Sequence, residues 1–467
     1  MKKILAMLLA VTLSAGTLAG CGGTKEAGKT ADGKIFLSIS NWPDPDSSPE
    51  SYKTQMEKKA AFEEKYPDIH IEPDHWSYDI QTFAAKAEGG TLPIVYSTFA
   101  TEVKKIIELG YSADITEVMK KYDYYDMISD EIMTQISRDG KVYMVPGSLY
   151  TLGLVMNMNL FREAGLVNPD GTPMFPETFD DVRSMAKTIT EKTGKAGFIF
   201  PTTGNGGGWN FTALAWNFGG TFMEETEDGW KSTFASPEVV SALQWLKDMK
   251  WEDGSMPATT LVSNDDTTKM VGTDQAAMYI AHPGQVDLLV SQYGMDFDAI
   301  GYAKMPAGPE RHVTLLGGGY TCIAPNATPE QIDAAFKWLE FNGSMPRFEL
   351  PEDVKKRIYS DYETKAAENR GVIGIDDISL WSEEEATRKY KNELNNQFRN
   401  VKPEMVASYN DKSGVELQAE EPQKAQDLYA TLDSCLQEVL TNKDADCMQV
   451  LEKAAADFQN NHLNNVK

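Results

Sequence analysis

The tightest constraint on this chain is an alternation of short apolar strands with helices whose start points are written in the sequence. Residues 34–40 place Ile35, Leu37 and Ile39 on one face, and a helix over 50–65 stops before Pro67. Further strands read at 69–71, 92–98, 142–145, 152–156, 197–200, 276–280, 299–302 and 320–324. Thr178 caps a helix that faces inward through Val182, Ala186 and Ile189 and ends near Gly194. Ser236-Pro237-Glu238 supplies a cap, a proline that fits the first turn and an acid on the helix dipole. Thr328-Pro329-Glu330-Gln331 repeats the device as a capping box, with Ile332, Ala335, Phe336 and Leu339 following at helical spacing. Strands alternating with such helices argue for α/β layers with mostly parallel sheets.

The N-terminus sets the expectation for the compartment. Lys2 and Lys3 precede a mostly apolar run over 4–18, and Leu18-Ala19-Gly20-Cys21 closes it. That is the layout of a secretory signal. A cysteine at the cleavage point makes it similar to a bacterial lipoprotein signal, with 1–20 removed and lipid carried by Cys21. No later apolar run approaches the ~18 residues of a membrane span. The body is then expected outside the cytoplasm, tethered to the membrane by residues 21–33. Acids outnumber bases 70 to 44, for a net charge of −26. Removal of 1–20 takes two lysines and no acid, leaving −28. Such a surface repels phosphate backbones, so nucleic acid is not expected as a partner.

Several motifs that would carry other chemistry fail on context. Gly23 to Thr30 fits the phosphate-loop pattern letter for letter, but no strand precedes it and Asp32-Gly33 follows where a helix should start. The chain lacks G-x-S-x-G and H-E-x-x-H. No cysteine–histidine set has zinc spacing, and no full calcium loop is present. Neither a cofactor nor catalysis is expected. Cys322 reads as a buried thiol. Cys435 and Cys447 lie in a helix–loop–helix where a disulfide suits the compartment, although spacing alone does not establish one.

The order of segments resembles the family 1 extracellular solute-binding proteins, the lipoprotein receptors of bacterial ABC importers, many of them sugar-binding. The likeness covers roughly 34–345 and resumes near 400–460. It is carried by Ala61-Phe62 through Tyr66-Pro67, by Lys141 to Pro146, and by Leu154 through Asn157, Asn159, Phe161 and Gly165-Leu166. Pro176 to Asp181, Phe234 to Glu238, Ala276-Ala277-Met278, Pro306 to Pro309 and Gly317-Gly318-Gly319 complete it. Two departures stand out. Residues 345–400 form a charged, helix-leaning insert, and His282-Pro283-Gly284 stands where many members place a tryptophan. The resemblance implies a two-lobed α/β fold of the type II periplasmic-binding-protein kind, with a hinge and a ligand cleft. Lobe one would be 34–149 plus 308–345, and lobe two 150–307 plus 346–467. Crossings are expected near 147–151, 305–309 and 345–350.

A sugar offers apolar C–H faces and a rim of hydroxyls, so its site needs aromatic faces and a few directed polar groups. Open α/β sheets place ligands just past strand ends. Trp42 follows the first strand and is either a cleft aromatic or the edge of the core. Thr98 ends another strand, beside Ser97. Tyr150 lies at the first crossing, and Trp209 follows the glycine-rich run 204–208, read as a flexible approach. Trp216 sits at helical spacing and reads as core. His282 and Gln285 share a loop after a strand, and Gly318 permits close backbone approach before Tyr320, itself a contact or a core wall. Trp381, inside the insert, is a candidate lid. The expected partners are a sugar or oligosaccharide, ABC permease subunits and the bilayer through Cys21, for a monomeric receptor. A peptide or other polar solute, or glycan hydrolysis, are the alternatives.

Overall fold

The computed structural model describes residues 27–466 apart from 47, 377, 379, 383 and 384. Cys21 and the signal segment lie outside the described residues. Two hydrophobic cores organise the rest. One gathers residues from Leu37 to Leu149 and from Leu316 to Met345. The other runs from Leu152 to Leu315 and takes in Val372 and residues from Val401 to Leu463.

In lobe one, Ile35–Ile39 pairs in parallel with both Ile69–Pro73 and Val95–Phe99. The long strand Val313–Ile323 lies antiparallel to Val95–Phe99 and to Met144–Thr151, and parallel to the edge strand Glu416–Ala419. In lobe two, Gly153–Asn157 is flanked antiparallel by Met278–Ala281 and Ile300–Lys304. The lobe-one sheet is therefore mixed and the lobe-two sheet antiparallel, where the sequence suggested mostly parallel sheets. Residues 197–200 form no strand among the described residues, although Ile199 N still donates to Met278 O at 2.9 Å.

The helix starts follow the sequence. Thr178 and Asp181 form a reciprocal capping box on Phe179–Thr193, which ends at Gly194 in the left-handed region. Thr328 and Gln331 do the same for Pro329–Asn342, and Ser236 caps Pro237–Trp251. The last part of the expected tether is docked rather than free. Phe36 N donates to Gly28 O, and Thr30 N to Lys34 O, both at 2.8 Å. No helix follows Thr30, so the phosphate-loop pattern has nothing to aim.

The hinge is built from three strands. Met144–Thr151 and Val313–Ile323 pair as Leu316 with Thr151, Gly317 with Tyr150 and Gly318 with Leu149, then slip register before Tyr320 meets Pro146. The first crossing lies where the sequence places it. The second does not. Met305 is buried in lobe two, Ala307 N bonds Glu177 O and Gly308 abuts Asn217, so the cores change hands between Leu315 and Leu316. The proline and glycine of 306–309 resemble a linker but only turn the chain within lobe two. The third hinge strand is Glu416–Ala419, far from 345–350, because the insert intervenes. Cys435 and Cys447 are free buried thiols, and Cys447 Sγ donates to Gln244 Oε1 at 3.3 Å. Cys322 is a buried thiol, and burial pushes it up to about 12.

Candidate ligand cleft

Three rings from three elements meet beside the hinge. Tyr150 is near the end of its hinge strand, Trp209 lies in the first turn of Gly206–Asn217, and His282 is the N-cap of Pro283–Ser291. The Tyr150 and His282 ring centroids are 4.7 Å apart, and Trp209 stands edge-on to both at 6.4 Å. Gly317 makes room for the tyrosine, since a Cβ there would fall 2.6 Å from its ring.

The glycines before Trp209 are not a flexible approach. A Cβ on Gly208 would lie 2.2 Å from Tyr429 O, and one on Gly207 2.6 Å from Asp433 Oδ1. They let the helix start press onto Ala425–Thr441, where Asp433 accepts from the backbone N–H of Asn205 and of Gly208, each at 2.7 Å. A carboxylate on the positive helix end satisfies donors that would otherwise be orphaned. Trp209 is thereby held rigidly.

His282 is neutral. Its Nδ1 accepts from Gly284 N at 3.1 Å, which leaves the proton on Nε2, and burial holds the imidazole down to about 4. Gln285 completes the capping box and is buried, so it positions the loop.

An acidic corner closes the lobe-two wall. Tyr429 donates to Glu420, and the Trp209 side chain also lies against that carboxylate. Burial, with a smaller contribution from Glu102 of lobe one, pushes Glu420 up to about 7. Glu421 is likewise pushed up to about 7 by burial and accepts from Trp216 Nε1 at 2.9 Å.

Lobe one meets this wall with the C-terminal ends of its parallel strands. Asn41, in the left-handed region, donates from its N–H to Trp76 O at 2.9 Å. Tyr78 donates to Glu102 at 2.6 Å, and its ring packs edge-on to Phe99, which is 46% exposed. At the rim, Lys104 of lobe one reaches Glu225 of lobe two at 3.5 Å and sits 5.0 Å from the Trp230 ring centroid. The lobes are therefore in contact across the cleft.

Other sequence candidates fall elsewhere. Trp42 is 3% exposed and stacks on Trp338 at 6.1 Å, because the turn at Asn41 folds it back into the lobe-one core. Thr98 is 2% exposed, and Tyr320 is 1% exposed with its hydroxyl bonded to Gln135. Gly318 faces the paired hinge strand, where a Cβ would lie 2.1 Å from Ser148 O. Trp381 bridges to Ile128 on lobe one and lines a separate cavity. The sequence reading did not single out Glu420, Tyr429 and Glu102, which lie beside the ring cluster. Nothing in the sequence marked Glu420, which follows the insert. Among the described residues no group of His, Cys, Asp or Glu could hold a metal, and no helix is long and apolar enough to cross a membrane.

The family model described as bacterial extracellular solute-binding protein matches residues 45–344. The chain belongs to this family. The maltodextrin-binding protein MdxE of Bacillus subtilis (strain 168) is 25% identical over 350 residues, covering 73% of this chain and 76% of that one. Among solved structures, the GacH receptor of Streptomyces glaucescens GLA.O, described unliganded and with acarbose, has a TM-score of 0.62 at 17% identity, with 92% of this chain and 99% of that chain covered. UgpB from Mycobacterium tuberculosis, in complex with glycerophosphocholine, has a TM-score of 0.63 at 15% identity, with 91% and 98% covered. These likenesses match the two-lobed α/β architecture. As a solute-binding protein, the chain has its ring cluster where two lobes and a hinge converge.

Proposed function

We propose that this solute-binding protein captures a carbohydrate, an oligosaccharide, between its lobes and delivers it to an ABC importer. The observation that carries the reading is the Tyr150–Trp209–His282 cluster backed by Glu420 and Tyr429. Rings cover the C–H faces of a sugar, while a carboxylate and a neutral imidazole pair with its hydroxyls. The maltodextrin-binding and acarbose-binding relatives support this ligand class. A ligand that touches both walls has higher affinity for the closed arrangement and shifts the lobes towards it. Closed lobes then present the surface that a permease reads.

Binding without turnover fits the acids. Glu102 already accepts from Tyr78 and pairs with Lys105 at 3.1 Å, which leaves it poorly placed as a second catalytic carboxylate. The glycerophosphocholine-bound neighbour favours a polar, non-sugar solute as the second reading. Calorimetric titration with linear and cyclic oligosaccharides and with glycerophosphocholine separates the two. Saturable sugar binding without hydrolysis is the expected result. Sugar turnover, or binding of the phosphodiester alone, overturns it.

The anchor is part of the same reading. Cys21 is expected to carry lipid that holds the receptor at the extracellular or periplasmic face of the cell membrane. Cys21→Ala should abolish metabolic lipid labelling and release the protein, and unchanged labelling would refute the anchor.

A further inference from the structure

The insert folds around the hinge and leaves a second, half-open hollow between them. Its central strap is fixed to lobe two on one side. Val372 N donates to Asp287 Oδ1 at 2.6 Å, Ile373 N to Asn400 Oδ1 at 2.7 Å and Asp376 N to Asn410 Oδ1 at 2.9 Å. A few residues later it is fixed to lobe one. Trp381 bridges Ile128, Ser382 N donates to Met127 O at 2.7 Å, and Ser129 N to Leu380 O at 3.2 Å. Between the strap, the helices Glu352–Ala367 and Ala386–Gln397, and the hinge lies a cavity of about 1100 Å³. Residues 146–149 and Leu417 of the hinge strands line it, opposite Trp381, Arg388, Lys391, Asn395 and Arg399. Tyr150, Trp209 and His282 do not, so the hollow is separate from the ring cluster.

Its walls are rich in donors that lack anionic partners. In a chain with 70 acids and 44 bases, Arg388, Lys391 and Arg399 form no ion pair among the described residues. Arg388 reaches only Trp381 O at 3.4 Å, and Arg399 donates to Gly374 O at 3.1 Å and Asn396 Oδ1 at 3.2 Å. Among the described residues two acids, Asp376 and Glu385, line the cavity, and the Glu385 carboxylate already accepts from the backbone N–H of Arg347 at 2.8 Å and of Arg388 at 2.5 Å. Asp377, Glu383 and Glu384 lie outside the described residues. Asn395 accepts from Tyr362 at 3.0 Å through Oδ1, which leaves its NH2 group as a donor. Guanidinium, ammonium and amide donors around one hollow match an anion with several oxygen acceptors.

We propose that the cavity between hinge and insert is a second ligand site, for a small phosphate- or carboxylate-bearing solute held by Arg388, Lys391 and Arg399. The family match ends at residue 344, so Arg388, Lys391 and Arg399 lie beyond the matched region, while residues 146–149 of the hinge wall opposite them lie within it. The test titrates inorganic phosphate and, separately, citrate into the full chain by calorimetry at fixed ionic strength. Saturable binding of either supports the site, and the anion that binds names the group. Arg388→Gln and Lys391→Gln should each weaken it by about tenfold or more, as for loss of a charge-assisted hydrogen bond. Lys391 is exposed, so its variant keeps the test open if the arginine variant fails to fold. The oligosaccharide isotherm should be unchanged in both variants, which separates this site from the cleft. Absence of saturable binding of both anions, or binding that survives both substitutions, overturns the proposal.

Discussion

Trp209 and Trp42 share a side chain and differ in what surrounds it. Trp209 is partly buried at a helix start that Asp433 pins, and its ring borders Tyr150 and His282. Trp42 is sealed against Trp338 in lobe one. Trp209→Ala should therefore weaken oligosaccharide binding by about 10–100-fold, an aromatic contact of ~1–3 kcal/mol, with a smaller loss of stability than Trp42→Ala. Trp42→Ala should do the reverse, costing ~3–5 kcal/mol of stability through the cavity it leaves while the folded protein keeps its affinity. Calorimetry and thermal unfolding on the same samples check the pair, and a swapped outcome would move the cleft to Trp42. The acids make a second residue-scale prediction. Burial holds Glu420 and Glu421 at about 7 against an ordinary 4.5. Between those values the folded chain keeps protons that the unfolded chain has released, so their contribution to stability falls as pH rises through that window. His282, held down to about 4 from 6.5, acts in the opposite sense, and its contribution is lost as pH falls through its own window. The double variant Glu420→Gln, Glu421→Gln should then gain melting temperature over the parent as pH is raised from about 5 to about 8, with most of the gain below about 7. A difference independent of pH would show that the two carboxylates are solvated.

At the scale of elements, the hinge depends on glycines that no side chain can replace. Gly318 has φ of 120°, and a Cβ would lie 2.1 Å from Ser148 O on the paired strand. Gly318→Ala should destabilise the protein by more than ~1 kcal/mol, because alanine is strained there and the strand has no room to yield. Urea unfolding measures it, and a neutral result would mean that the register slip beside Gly318 relaxes freely. The sequence made this element visible for a simple reason. Gly317-Gly318-Gly319 stands inside an apolar run, and glycine there marks a bulge or a close approach. It left open which approach was made, ligand or partner strand, since both need the same missing Cβ. Helix starts were legible for the same kind of reason, as Thr178 and Thr328 cap within three residues of themselves. Tyr150, Trp209 and His282 were each visible as aromatics or rings near chain turns, but their meeting depends on lobe packing that local pattern does not encode. Trp42 misled because the strand before it had ended, while its partner Trp338 lies about three hundred residues away on Pro329–Asn342. Glu420 had no local mark at all. Its environment is set by Tyr429 and by Trp209, the latter about two hundred residues earlier in the chain, on the far side of the insert.

For the whole molecule, closure is a balance between hinge strain, cleft contacts and whatever links the rims. Lys104 supplies such a link from lobe one to Glu225 and Trp230 of lobe two. Its side chain is 46% exposed and that of Glu225 is 65% exposed, so solvent screens the pair heavily. Exposed pairs of this kind contribute ~0.2–1 kcal/mol, and a cation over an exposed ring contributes a similar amount. The link exists only when the lobes meet, so all of that energy enters the closing equilibrium and none enters the stability of either lobe alone. Lys104→Ala should therefore lower oligosaccharide affinity by about two- to fivefold, with a change in the melting temperature of the unliganded protein no larger than the loss of ~0.2–1 kcal/mol gives. The loss should shrink at high salt, because the ion-pair part is screened within about 10 Å at 0.1 M ionic strength. Titrations of the parent, Lys104→Ala, Glu225→Ala and the double variant at low and high salt resolve the pairwise term. Small-angle scattering of the unliganded variants should show a larger radius of gyration if the link holds the rims together before ligand arrives. An additive cycle with identical scattering would remove the rim contact from the closing balance and leave closure to the ligand alone.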